Sequence, residues 1–159
     1  MIKILFSSNV SWSIFNFRKD LLKSLLEDGY EVYVTAAKDN YSQLLEKEGM
    51  RYYETKINNN SKNPVSDIKL LFYYISLYKK IDPDVILHNA IKPNIYGTIA
   101  AGIIRIPTIN NISGLGTLFI TKSFSTKLAK WLYWFSQKFA TVVFFQNPSD
   151  RQLFIDNKL

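Results

Sequence analysis

Short runs of apolar residues recur along this chain, each pair separated by a segment of helical length, and that alternation leaves few folds open. Ile2 to Phe6, Glu31 to Ala36, Arg51 to Glu54, Val85 to Leu87, Thr108 to Ile112 and Thr141 to Phe145 read as six strands. The first helix carries a stripe of Leu21, Leu22, Leu25 and Leu26 and ends at Gly29. Asp39 or Asn40 caps a short helix from Tyr41 to Glu48 that stops at Gly49. Longer helices run from Val65 to Lys80, from Pro93 to Ile104 and from Ser123 to Phe139, and Asn147-Pro148-Ser149-Asp150 opens a last one. Asn58 to Pro64 is too polar to be anything but a loop.

Near-continuous Val, Ile and Phe in the strands implies burial on both faces, and therefore a parallel sheet. The fold class that follows is α/β: a Rossmann-like three-layer α/β/α sandwich on a mostly parallel six-stranded sheet, ordered 3-2-1-4-5-6. At 159 residues, without repeats or a low-complexity linker, the chain makes one domain, residues 1–159.

Composition removes several chemistries. With no cysteine and one histidine, neither a disulfide nor a zinc site of the usual ligands is expected. No apolar run reaches the roughly 20 residues of a membrane-spanning helix, and Met1 to Phe6 leads directly into a strand, so neither anchor nor signal peptide is expected. The net charge of +7 favours anionic partners: nucleotide phosphates, nucleic acid or an anionic membrane face.

Ligands of an open parallel sheet bind outside the carboxyl ends of its strands. Two such ends collect polar side chains here: His88 and Asn89 with Lys92 and Asn94, then Asn110-Asn111 followed by Ser113-Gly114-Leu115-Gly116-Thr117. Lys92 suits a phosphate or a sugar carboxylate, or is a solvated residue at a helix start. His88 is a weak catalytic candidate or a hydrogen-bonded structural residue. Gly114 and Gly116 let a ligand approach the backbone, or form a simple turn. The loop after the first strand, Ser7 to Ser13, has no glycine. It therefore lacks the G-x-G-x-x-G that nicotinamide and flavin sites use. Asn9, Ser11 and Arg18 remain able to hold a sugar or phosphate there, or to form an ordinary capped loop.

Two helices carry unusual surfaces. In the helix from Ser123, the residues Phe124, Leu128, Trp131, Leu132, Phe135 and Phe139 form one stripe, expected to face the core. Trp134 falls outside it among Lys127, Lys130 and Lys138, a combination suited to a bilayer interface. In the helix from Val65, one stripe is Val65, Ile68, Leu71, Phe72 and Ile75, and the opposite one is Leu70, Tyr73, Tyr74 and Leu77. The second stripe is expected to need an external cover such as a membrane, a domain or a subunit. The E-x7-E spacing of Glu46 and Glu54 bridges a short helix and a strand and reads as coincidence.

Three segments carry a resemblance: Ile91-Lys92-Pro93-Asn94-Ile95-Tyr96-Gly97, Asn110-Asn111-Ile112-Ser113-Gly114-Leu115-Gly116-Thr117 and Phe144-Phe145-Gln146-Asn147-Pro148-Ser149-Asp150-Arg151. With them, essentially the whole chain resembles the N-terminal domain of family 4 glycosyltransferases with the GT-B fold, in the bacterial subgroup that builds capsule, O-antigen or lipid-linked glycans. The resemblance implies transfer of a sugar from a nucleotide donor, usually a UDP-sugar, to a lipid-linked acceptor, with retention and without a DXD-bound metal or other cofactor. It implies that this domain takes the acceptor and that the nucleotide sugar belongs mainly to a C-terminal domain, absent from this chain, which carries the family's E-x7-E. It places Asn9, Ser11, His88, Lys92 and Asn94 near the substrates and Gly114, Gly116 and Thr117 at the cleft floor. Ser8 to Ser13 departs from the glycine-rich loop of many members. The expected setting is the cytoplasmic face of the inner membrane, reached peripherally through Lys127, Lys130, Trp134, Lys138, Tyr73 and Tyr74. Exposed apolar surface could also make the isolated domain dimerise. A non-catalytic membrane-docking module is the main rival, and a Rossmann-type epimerase or oxidoreductase a lesser one. Nucleic-acid binding is not expected, because the aromatics lie on helices rather than on an open sheet.

Overall fold

The computed structural model describes residues 1–56, 64–114 and 124–159, without the side chains of residues 124 and 125. Six strands, β1 (Lys3–Val10), β2 (Glu31–Ala37), β3 (Arg51–Glu54), β4 (Val85–Asn89), β5 (Thr108–Ile112) and β6 (Val142–Phe145), form one parallel sheet ordered β3-β2-β1-β4-β5-β6. This is the expected topology.

Helices α1 (Ser11–Phe17), α2 (Lys19–Glu27) and α3 (Ser42–Lys47) cover one face of the sheet. There Phe6, Val32, Val34 and Ala36 meet Ile14, Leu22 and Leu45. The first helix expected from the leucine stripe is in fact two, because the backbone leaves helical geometry at Arg18 (φ −134°). On the other face lie α4 (Pro64–Ile81), a π-helical turn (Pro93–Gly97), α5 (Thr98–Ile104), α6 (Phe124–Gln137) and α7 (Pro148–Asp156).

The inward faces of α4 and α6 are not those expected from hydrophobicity. Leu70, Tyr74, Leu77, Tyr78 and Ile81 of α4 are buried, while Val65, Ile68 and Phe72 face outward. On α6, Tyr133 and Ser136 are buried, while Leu128, Trp131 and Phe139 are exposed. The reason lies in the sheet. Thr35, Ser7, His88 and Asn110 are paired across β2, β1, β4 and β5 in a single buried row. A buried polar group without a partner costs about 1–3 kcal/mol, so this row draws hydroxyl and amide side chains from the helices above it. Ser7 bonds the Tyr74 hydroxyl (3.2 Å), His88 the Tyr78 hydroxyl (3.0 Å) and Asn110 the Gln137 amide (2.8 Å), while Thr35 bonds Thr55. A stripe of Ile, Phe and Trp could satisfy none of them. The helix over the row also has to approach closely, and Gly97 permits it: a Cβ there would lie 2.5 Å from His88 Nε2.

Candidate functional site

Successive residues of a strand point to opposite faces, so the polar pairs at the ends of β4 and β5 are split by the sheet. His88 and Asn110 point toward α4 and α6 and are sealed. Asn89 and Asn111, also paired in register, point toward α1. β1 runs on past the expected Phe6 to Val10, with an irregularity between Ser7 and Val10, and Ser8 joins this second row.

The hydrogen bonds of the second row run in one direction. Asn111 Nδ2 donates to Asn89 Oδ1 (3.2 Å), and Asn89 Nδ2 donates to Ser8 Oγ at 3.5 Å. The Ser13 hydroxyl donates to the Val10 carbonyl, so Ser8 must donate to Ser13 Oγ (2.9 Å). The bonds that link the row therefore all run toward Val10, and an acceptor remains at its head. Asn111 Oδ1 is buried without a partner, and so is Asn9 Oδ1. Beside Asn111, a concavity of about 500 Å³ is walled by Phe6, Phe17, Leu21, Leu87, Ile109 and Phe144, with Arg18 and Gln146 as its polar edge. Such a site offers acceptors to hydroxyl groups, aromatic faces to a sugar ring and one guanidinium to an anion.

The backbone beyond β4 is strained where it turns toward the site. Ala90 has φ +78°, a left-handed conformation costing a non-glycine residue about 1–2 kcal/mol. Its carbonyl accepts from Asn94 N (3.0 Å) and so starts the π turn. Asn94 in turn donates to the Asn111 carbonyl (2.9 Å) and receives Gln137 on its own carbonyl (3.3 Å). Asn94 thus braces the end of β5 from below.

His88 borders the concavity, but its imidazole is buried with both ring nitrogens taken. Asn110 Nδ2 is committed to Gln137, so Asn110 presents its oxygen to His88 Nδ1 at 2.9 Å. The proton must sit on Nδ1, and Nε2 accepts from the Tyr78 hydroxyl. Burial pushes the imidazole down to about 4, against a smaller upward effect of the Asn110 bond, and it pushes the Tyr78 phenol well up. Both groups stay neutral and matched. This corrects the expectation of His88 as a substrate contact or catalyst: it is a structural residue.

The other expected residues separate as follows. Ser11 is buried, bonded to Ser42 Oγ (2.9 Å) and the Ala37 carbonyl (3.1 Å), and ties α1 to β2. Arg18 lines the concavity, one guanidinium nitrogen on the Phe17 carbonyl (2.8 Å). Lys92 lies 2.9 Å from Asp67 of α4, whose second oxygen accepts from Tyr96 (2.9 Å). Gly114 has φ +74° and donates to Asp150 Oδ2 (3.2 Å). Gly116 and Thr117 lie outside the described residues. Lys127, Trp134 and Lys138 are exposed on α6 or just past it, and Lys130 is half-buried. Tyr74 is wholly buried, which removes it from the expected membrane surface, and Tyr73 is half-buried and donates to the Glu54 carbonyl (2.6 Å).

Sequence reasoning missed Ser8, Asn89 and Asn111 as a set, and also Asp150. Asp150 is a buried carboxylate at the start of α7 that trades hydrogen bonds with Asn147, the helix cap, at 2.7 and 2.8 Å. The Asn-Pro-Ser-Asp run was its signal. Among the described residues, no three His, Cys, Asp or Glu side chains converge as a metal site would require.

The chain matches the glycosyl transferase 4-like family model over residues 3–147. It is 31% identical over 156 residues to the N,N'-diacetylbacillosaminyl-diphospho-undecaprenol alpha-1,3-N-acetylgalactosaminyltransferase of Campylobacter jejuni, covering 95% of this chain and 42% of that protein. Among solved structures it is similar to a glycosyltransferase from Rickettsia africae (TM-score 0.73, 20% identity, 99% of this chain and 40% of that one). It is also similar to the UDP-GlcNAc 2-epimerase of Neisseria meningitidis bound to UDP-GlcNAc (TM-score 0.70, 12% identity, 99% and 44%). At those identities the two structures establish the fold alone. The chain thus spans about two fifths of the length of these proteins. With the family model matched over nearly its whole length on a six-stranded parallel sheet, the chain belongs to the glycosyl transferase 4-like family and has the Rossmann-like N-terminal architecture of GT-B glycosyltransferases.

Proposed function

We infer that this domain is the acceptor-binding half of a retaining glycosyltransferase. The whole protein would move a sugar from a nucleotide sugar, a UDP-sugar by preference, to a lipid-linked glycan at the cytoplasmic face of a membrane. The observation that carries this is the one-directional hydrogen-bond chain from Asn111 to Val10, which leaves Asn111 Oδ1 without a donor, beside the separately unpartnered Asn9 Oδ1 near the end of β1. Each such oxygen costs about 1–3 kcal/mol while unpaired, and hydroxyls of an acceptor sugar would relieve that cost as the cleft closes. The name of the Campylobacter relative supports a lipid-diphosphate acceptor and an N-acetylhexosamine as the transferred sugar.

In the reaction, positive charge develops on the donor sugar and negative charge on the leaving diphosphate, so catalysis is mainly electrostatic placement. The donor is a substrate held chiefly outside this chain, and no resident cofactor or metal is invoked. Arg18 is the cation of this half that faces the concavity and is placed for an acceptor phosphate. Asn9, Asn89 and Asn111 orient the acceptor hydroxyl, and Asp150 with Gly114 fixes the neighbouring wall.

The test is sugar transfer by the full product of the gene, in membranes, with a panel of UDP-sugars and lipid-linked acceptors. Transfer that needs both substrates supports the reading. Release of UDP with an altered free sugar and no acceptor requirement would instead favour an epimerase, whose fold this chain shares.

A further inference from the structure

The formal charge of this protein is unevenly placed. Residues 1–84 carry twelve basic and eleven acidic side chains, and residues 85–159 carry eight and two. No aspartate or glutamate occurs between Asp84 and Asp150. Helix α6 lies in that stretch and turns its most apolar side to solvent. Trp131 is 54% exposed and Trp134 40%, and Leu128 and Phe139 are exposed beside them. Trp131 stacks on Phe135 (5.7 Å between ring centroids), and Phe135 meets Phe139 edge-on (5.4 Å). Lys138 sits 3.5 Å above the Trp134 ring, and Lys127 is exposed on the same helix. The inward side of α6 is held by Tyr133, Ser136 and Gln137, so the aromatic ladder is not part of the core. Ile103 of α5, the helix packed beside α6, adds to the same outer surface.

We propose that this face of α6 docks the protein on an anionic phospholipid bilayer. Aromatic side chains of amphipathic form lie at the headgroup level with their rings toward the acyl chains. Lysines near such a surface each add about 1 kcal/mol of attraction to anionic lipid. A helix whose outer side joins Trp131, Trp134, Leu128 and Phe139 to Lys127 and Lys138, and which has no carboxylate, matches that surface in both polarity and charge. The purpose of the docking rests on the reading that the acceptor is lipid-linked, but the docking itself does not.

The experiment uses the full gene product with every tryptophan other than Trp131 and Trp134 replaced by phenylalanine, with vesicles of phosphatidylcholine alone or mixed with phosphatidylglycerol. Brominated lipid should quench the fluorescence of Trp131 and Trp134 on the mixed vesicles. Sedimentation with them should weaken about tenfold or more in Trp131→Gln/Trp134→Gln and should weaken with added salt in the parent protein. Lys127→Ser/Lys138→Ser tests the charge without touching the rings and should also bind less. Transfer to a water-soluble acceptor analogue should be unchanged in both variants. Absence of quenching in the parent protein overturns the proposal, as does equal sedimentation of parent and variants. So does a stable dimer dispersed by Trp131→Gln/Trp134→Gln, which would assign the face to a second copy. Vesicle binding without any sugar transfer would leave the docking standing and remove the enzymatic reading.

Discussion

His88 and Asn89 are adjacent in the chain, as are Asn110 and Asn111, yet the two members of each pair do different work. On the α4 and α6 side, His88 and Asn110 belong to a buried row in which Tyr78, Thr98 and Gln137 answer the side-chain groups. On the α1 side, Asn89 and Asn111 belong to a row whose bonds all run toward Val10 and which leaves an acceptor over at its head. The same residue types, one position apart, are sealed and matched where helices cover them and are the recognition groups of the proposed acceptor site on the other face. Unpaired oxygens alone do not make a site, since Asn94 Oδ1 and Thr108 Oγ1 are also buried without partners; the concavity beside Asn111 is what distinguishes this one.

The contrast can be broken most strongly at His88. His88→Ala removes a fully buried side chain, takes the acceptor from the Tyr78 hydroxyl and leaves the Asn110 amide oxygen with Thr98 as its remaining donor. It should cost about 3 kcal/mol or more of stability by thermal or urea denaturation. A loss below about 1 kcal/mol would mean that the sealed row is not structural.

A related test is pH. The folded His88 has its pKa lowered to about 4 by burial, against about 6.5 unfolded. The unfolded chain therefore binds the proton first as pH falls. The stability that His88 contributes is complete above about pH 6.5, declines below it and is gone by about pH 4, a span worth about 3 kcal/mol. His88→Gln, which can still accept from Tyr78 and donate to Asn110, should flatten that part of the stability–pH curve. An unchanged slope would place the titration elsewhere.

The open row should respond in the opposite way. Asn89→Ala should lower kcat/KM for transfer about tenfold to a hundredfold, or about 1.4–2.7 kcal/mol, and should cost about 1–2 kcal/mol of stability, less than His88→Ala, because one Asn111 N–H loses its acceptor. A melting temperature that falls as far as in His88→Ala would erase the distinction between the rows. The smallest effect is expected at Lys92. Its pair with Asp67 is mostly shielded, with side-chain exposures of 14% and 18%, and Tyr96 shares the carboxylate. Asp67→Asn should cost about 1 kcal/mol in a denaturation titration and leave donor affinity unaltered.

The topology was legible because it follows from alternation: six strands of Val, Ile and Phe separated by helical lengths admit few arrangements, and the expected strand order is the one found. The orientations of α4 and α6 were not legible. The apolar stripe of α6 ranks Trp131 and Phe139 as the natural core face, and only the buried Asn110 reveals why Gln137 turns inward instead, with Ser136 bonded to it and Tyr133 packed on Phe154. That information is nonlocal, arising from register between strands more than twenty residues apart. The same holds for the site. Asn89 and Asn111 stand plainly in the sequence beside His88 and Asn110, but which of each pair is sealed depends on which face the helices cover. The irregular end of β1, where Ser8 joins the row, and the left-handed Ala90 had no residue-level signal, since neither involves glycine or proline.

The central claim is that the acceptor is held by the open row on the α1 side. Its most direct test is steady-state transfer by the full gene product, parent and Asn111→Ala, with acceptor and donor concentrations varied separately. The account predicts a KM for the acceptor raised about tenfold, a donor KM unchanged, and a melting temperature that falls far less than in His88→Ala, because the unpartnered oxygen leaves with the side chain and only its donation to Asn89 is lost. An unchanged acceptor KM, or a rise confined to the donor, would contradict it and place the acceptor elsewhere.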